Sequence, residues 1–190
     1  MGMSIGVEKF FDDIKNYRDR FRQFVGIFFI VFVSLLAKPV PETFFAGSLL
    51  VVAGIAIRMW ASGHIKKNSE LATDGPYAYV RHPLYVGNIT LGLGFALSSG
   101  LWWAIPVYVL ILIVFYPQAI RNEDEKLHAM FRDEWEKWSR NTKALIPRFI
   151  ILKPEQRGTW SFKQSLMSNG EPVIAVFLFA CLLLQYSVLR

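Results

Sequence analysis

The chain has 190 residues, 53% of them hydrophobic, and a mean hydropathy of +0.32, more apolar character than a soluble domain of this length needs to fill its core. Its one cysteine, Cys181, excludes a disulfide framework and a cysteine-based metal cluster, and three scattered histidines argue against a zinc site. The formal charge of +6 resides in segments between apolar runs, a pattern that fits a membrane surface and not nucleic acid.

In chain order, Val7, Phe10, Phe11, Ile14, Tyr17, Phe21 and Phe24 recur at helical spacing with charges between them. Residues 6–23 are therefore expected to lie on the bilayer as an amphipathic helix, with an ordinary packed helix as the alternative. The stretch is too charged for the apolar core of a signal peptide. A helix rising 1.5 Å per residue needs roughly 20 apolar residues to cross about 30 Å of hydrocarbon. Apolar runs at about 24–38, 44–61, 83–98, 101–119 and 172–189 meet or approach that length. The expected fold is thus all-α: one polytopic membrane bundle over 1–190 with about five spanning helices. Lys38-Pro39 separates the first pair, Ser99-Gly100 the second, so each pair forms a tight hairpin. On this scheme only Lys38 and Arg190 lie on the hairpin side, and nineteen of the 21 Lys and Arg lie on the other. Basic excess marks the cytosol, so the amino terminus and the segments 62–82 and 120–150 are expected to face it. The polar stretch from Lys153 to Glu171 reads as a loop.

The most informative segment is Asp74 to Gly87, DGPYAYVRHPLYVG. Gly75-Pro76 marks a turn, and Pro83 suits the first position of the next helix, where a missing N–H is harmless. Arg81 and His82 then stand at a helix amino terminus, where a cation opposes the dipole by roughly 0.3–1 kcal/mol unless an anion is near. An anion site is one reading; the other has Arg81 reaching lipid phosphates and His82 capping the helix. Glu123-Asp124-Glu125 follows the fourth run and is equally misplaced for the dipole. If that helix continues, 100° per residue puts Asp124 on one face with Ile120, Leu127, Phe131, Trp135 and Trp138, Glu123 at its edge and Glu125 pointing away. Either these acids hold a ligand or they pair with Arg121 or Lys126. Both clusters fall at the same end of one hairpin, and a zwitterion such as S-adenosylmethionine suits a site with both signs of charge. Thr90, Gly94 and Ser98, four apart, would let another helix approach closely.

GPYAYVRHPLYVG, the acids of RNEDEKL about forty residues later, and FRDEWEKWSRNTKALIPRF together resemble the isoprenylcysteine carboxyl methyltransferase family and the related membrane phospholipid methyltransferases, over roughly Arg58 to Phe149. The resemblance implies a helical membrane enzyme that binds S-adenosylmethionine in a cytosol-facing pocket and methylates a lipophilic small molecule or lipidated substrate arriving from the bilayer. Carried onto this sequence, it assigns cofactor binding to Tyr77, His82, Tyr85, Gly87, Glu123 and Asp124, places Arg81 at the acceptor, and lets Glu123 act in catalysis. It implies no metal. The chain departs at Asp124, where the family usually has Glu, at Arg132, usually Gly, and at Trp135 and Trp138, usually Tyr. A carboxylate acceptor is favoured, because it is already ionised and needs no base. The alternatives are an NADPH-dependent sterol or enone reductase and a non-catalytic membrane protein; acceptor identity and oligomeric state stay open.

Overall fold

A computed structural model of the chain describes residues 20–65, 70–147, 160–163, 165 and 170–189. The expected amphipathic helix at 6–23 lies almost wholly outside these residues; positions 20–23 belong to a helix that runs on without a break into the first apolar run. Among the described residues the structure is all helical. Helix α1 occupies 20–35. It is followed by α2 (Pro41–Ser62), a 3₁₀ turn (Gly75–Ala78), α3 (Pro83–Ser98), α4 (Ala104–Asn141) and α5 (Glu171–Tyr186).

Two of these helices, α2 and α4, are long and apolar enough to cross a membrane. Helices α3 and α5 are apolar but have 16 residues each, a rise of about 24 Å against the roughly 30 Å of hydrocarbon. Among the described residues two helices thus meet the length and hydropathy of a span, and α1 is described only from residue 20. Large apolar side chains point outward from the bundle, among them Leu49, Ile113 and Val176, where lipid would cover them.

Glycines set the spacing of the central pair. A Cβ at Gly47 of α2 would strike the Ser98 backbone N–H and the Gly94 carbonyl of α3, and one at Gly94 would stand 2.8 Å from the Gly47 carbonyl. Small residues let the two backbones meet directly, the usual device where lipid supplies no hydrophobic drive between helices. Around this contact Phe29 and Val33 of α1, Val51 and Ile55 of α2, Leu91 and Phe95 of α3, Tyr108 of α4 and Leu178 and Leu182 of α5 form one buried core.

The two hairpin turns are joined at one end of the bundle. The Lys38 amide donates to the Ser99 carbonyl at 2.8 Å, and Gly100 adopts φ 67°, a left-handed conformation that glycine takes without steric cost. This turn uses Leu101 to Trp103, so α4 starts at Ala104, later than the expected 101. At its far end α4 continues well past 119 and breaks at Arg132, φ 40° and ψ −111°. Beyond the break the chain folds back. His128 and Glu136 hydrogen-bond at 3.1 Å, whereas eight residues of straight helix span about 12 Å.

Candidate active site

The end of the bundle opposite the hairpin turns holds a cavity of about 510 Å³, lined by Arg58, Tyr77, Arg81, His82, Tyr85 and Glu123 among others. Volumes of this order are typical of small-molecule sites. Each element delivers its residue for a local reason. Pro83 opens α3 and leaves His82 as the residue before the first turn; the His82 amide is fixed separately, by donating to the Ala144 carbonyl at 3.1 Å, as Arg81 donates to Lys143 at 2.9 Å. Helix α4 continues unbroken past 119, which carries its acids over the mouth of α3.

Asp124 is the hub. One carboxylate oxygen accepts from the Arg81 guanidinium at 2.9 Å, and the other lies 2.9 Å from Nε2 of His82. Burial by itself would raise the Asp124 carboxyl, but the hydrogen bond and charge of His82, with the charge of Arg81, hold it below its ordinary value. Arg81 also donates to the Ser139 and Thr142 carbonyls and lies over the Trp135 ring, 5.9 Å from its centroid. His82 gives no side-chain cap to its helix; its ring is committed to Asp124. Arg121, expected as a possible partner of the acids, pairs with Glu125 on the exposed face.

Glu123 is half-buried in the cavity wall and makes no hydrogen bond or ion pair among the described residues. Burial first, and the Glu123 charge second, push the Tyr77 phenol well above its ordinary pKa, so it stays a neutral hydroxyl. Tyr85 meets the His82 ring edge-on at 5.5 Å and accepts a hydrogen bond from Arg22 of α1 at 2.9 Å. Gly87 does not line the cavity. It is buried against α2, where a Cβ would stand 2.5 Å from Cγ of Arg58.

A second polar cluster escaped the sequence reading. Arg58 donates through Nε to one Glu171 oxygen at 3.0 Å and through a terminal nitrogen to the other at 2.6 Å, and it also bonds the Asn88 side-chain oxygen. The signal was present: a guanidinium in the last turns of an apolar helix demands a partner, and Glu171 is the acid that opens the last apolar run. The two are 113 residues apart, and nothing local links them.

The residues present suit a zwitterionic nucleoside such as S-adenosylmethionine. Glu123 is an uncommitted carboxylate for an amine or ribose hydroxyl. Lys126 and Arg22 bring positive charge to the same walls, and the buried Nε of Arg81 has no partner. No group of three or more His, Cys, Asp or Glu able to hold a metal ion occurs among the described residues.

Residues 42–134, which include Arg81, His82, Tyr85, Glu123 and Asp124, match the phospholipid methyltransferase family. The chain is 38% identical over 119 residues to the cobalt-zinc-cadmium resistance protein CzcN of Cupriavidus metallidurans, covering 60% of this chain and 53% of that protein. It is 34% identical over 124 residues to the nickel-cobalt-cadmium resistance protein NccN of Alcaligenes xylosoxydans xylosoxydans, covering 60% and 57%. It is 34% identical over 100 residues to the protein-S-isoprenylcysteine O-methyltransferase of Schizosaccharomyces pombe, covering 53% and 42%. The chain thus spans about half the length of the curated relatives it matches. No solved structure matches it.

Proposed function

We propose that this chain, which belongs through residues 42–134 to the phospholipid methyltransferase family and its isoprenylcysteine methyltransferase-like members, is an S-adenosylmethionine-dependent membrane methyltransferase acting on a lipophilic acceptor. The observation that carries this reading is the placement of His82, Tyr85, Tyr77 and Glu123 around one cavity, with Asp124 locking Arg81 to His82 behind it. Bound S-adenosylmethionine would supply an electrophilic methyl group. Glu123 would hold its amino or ribose end, and the neutral Tyr77 and the Tyr85 ring would pack and orient it.

What the protein must then do is align and exclude. In-line transfer asks that nucleophile and methyl be held about 3–3.5 Å apart, with no covalent residue. A carboxylate acceptor is favoured: its oxygen forms the new O–C bond as the S–C bond breaks, both charges are neutralised, and no proton has to be removed. Arg81 is bound to Asp124 and to two carbonyls, so we assign it to hold the cofactor wall together as well as to border the acceptor. Nineteen of 21 basic residues lie on the cavity's side of the charge count, which supports a cytosol-facing site and a multi-pass topology.

The test is calorimetric binding of S-adenosylmethionine and, separately, NADPH to the detergent-solubilised chain. Micromolar binding of the first, weakened at least tenfold by Glu123→Gln and by His82→Ala, is expected. Binding of NADPH alone would move the protein to the reductases.

A further inference from the structure

Glu171 stands at the start of α5, outside the region shared with the methyltransferase family. Its side chain is only 4% exposed and grips Arg58 at two points. Arg58 in turn lines the cavity. A guanidinium has five N–H donors in a rigid fork. Two are taken by Glu171 and one by Asn88. Two donors are left on a side chain that faces the ligand space. Its stem crosses α3 at Gly87, where a larger residue would collide with it, so the sequence keeps that path clear.

The depth of this group matters. Asn88 sits five residues into α3, about 8 Å past the helix start that holds His82, and Tyr108 of α4 donates to the Asn88 carbonyl at 2.8 Å. Asn88, with the Arg58 fork that bonds it, is therefore the polar part of the wall set among the apolar helices. Because Glu171 balances the charge of Arg58, the fork is tolerated at this depth without a ligand, and its direction is set before any ligand arrives.

We propose that Glu171 is a positioning residue that aims the Arg58 fork, with Asn88, at the anionic head of the lipophilic acceptor, which makes the C-terminal helix part of the acceptor site. The inference rests on the methyltransferase reading above. It assigns the acceptor side of the cavity to Arg58 and leaves the cofactor side to His82 and Glu123.

The experiment uses the full chain in phosphatidylcholine vesicles, with S-adenosylmethionine as donor and N-acetyl-S-farnesylcysteine as the carboxylate probe. Acceptor KM and donor Kd are measured for the wild type, Glu171→Ala, Arg58→Ala and the double variant. Glu171→Ala is expected to raise acceptor KM at least tenfold with donor Kd within twofold. In the Arg58→Ala background, where the fork is already gone, the same change should move KM less than twofold, because a residue acting through Arg58 has nothing further to lose. If Glu171→Ala does not fold, Glu171→Asp keeps the charge, draws the fork back by one methylene, and should raise acceptor KM several-fold at unchanged donor Kd. Equal effects in both backgrounds, or a donor Kd that moves with the acceptor KM, would mean that Glu171 only supports the fold. A wild type that binds S-adenosylmethionine but leaves the probe unmethylated overturns the carboxylate acceptor and the role of Glu171 with it. A wild type that does not bind S-adenosylmethionine overturns the methyltransferase reading itself.

Discussion

The Arg81 guanidinium lies 2.9 Å from the Asp124 carboxylate, across 43 residues of chain, and the same carboxylate reaches His82. One acid thus ties the start of α3 to the fourth helix and fixes both residues of the Arg-His pair. Its ionised form is favoured in the fold, since its pKa is held below the ordinary 3.8. A depressed carboxylate pKa contributes stability that is complete above the unfolded value and fades as pH falls through the folded one. Melting temperature followed below pH 4 should therefore drop in the wild type and drop less in Asp124→Asn, which has already lost the charge. At neutral pH that variant keeps one amide oxygen to accept from Arg81 or His82, turns an NH2 on the other, loses the charge, and should cost about 1–3 kcal/mol. Equal acid sensitivity of the two proteins would show that Asp124 is not the group responsible.

Arg132 is the one non-glycine residue with positive φ among those described, and the resemblance noted for the sequence places glycine at this position in the family. Holding an L residue there costs on the order of 1–3 kcal/mol. Arg132→Gly should relax that strain, offset in part by the greater freedom of glycine in the unfolded chain. The expected net effect is a gain of up to about 1 kcal/mol, read as a higher melting temperature in detergent, with donor binding unchanged. A lower melting temperature would mean that the Arg132 side chain contributes more than the backbone loses.

What could be read from the sequence, and what could not, follows from how local each signal is. Proline at the head of α3 and Ser99-Gly100 behind it are the local signals between which the helix Pro83–Ser98 forms, and the 100° rotation puts Asp124 towards Arg81 and His82 and leaves Glu125 exposed. Helical continuation past 119 is not signalled by hydropathy, because the apolar run ends there and charges take over. The break at Arg132 leaves no mark in the arginine itself, which has no preference for positive φ; the glycine that the resemblance places at this position is its one sign. The Arg58–Glu171 pair was hidden for another reason: each residue reads alone as the polar end of an apolar run, and only the packing of α5 against α2 joins them. At Gly87 the motif gives no hint of what the structure shows, that the missing Cβ makes room for the Arg58 stem.

Gly47 offers a direct test of the α2–α3 contact. A Cβ there meets the backbone of Ser98 and Gly94, which cannot rotate away as a side chain could, so the helices must part. Overpacking of this kind typically costs 1–3 kcal/mol. Gly47→Ala should lower the melting temperature and weaken donor binding through the shared α3, whereas Gly26→Ala, with nothing within 4 Å of the new atom, should do neither. Comparable stability in the two variants would mean that the helices are not in backbone contact.

Gln185 separates the scaffold from the site. It is fully buried near the end of α5, accepts from the Ser98 hydroxyl at 2.6 Å and donates to Ser34 at 3.2 Å, so one amide joins α5 to α3 and α1. Hydrogen bonds between membrane helices are worth about 0.6 kcal/mol on average. Gln185→Leu removes two of them and leaves Ser98 its bond to the Phe95 carbonyl, so a loss of about 1 kcal/mol is expected, measured as a shift in the thermal midpoint. Because Gln185 lies at the hairpin-turn end of the bundle, away from the cavity, donor Kd should hold within twofold even as stability falls. Glu171, on the same helix but beside Arg58, should behave in the opposite way when replaced by Asp: the two ends of α5 then divide its work, one holding the helix in place and the other aiming a side chain at the ligand. A Gln185→Leu variant that loses acceptor affinity as Glu171→Asp does would erase that division.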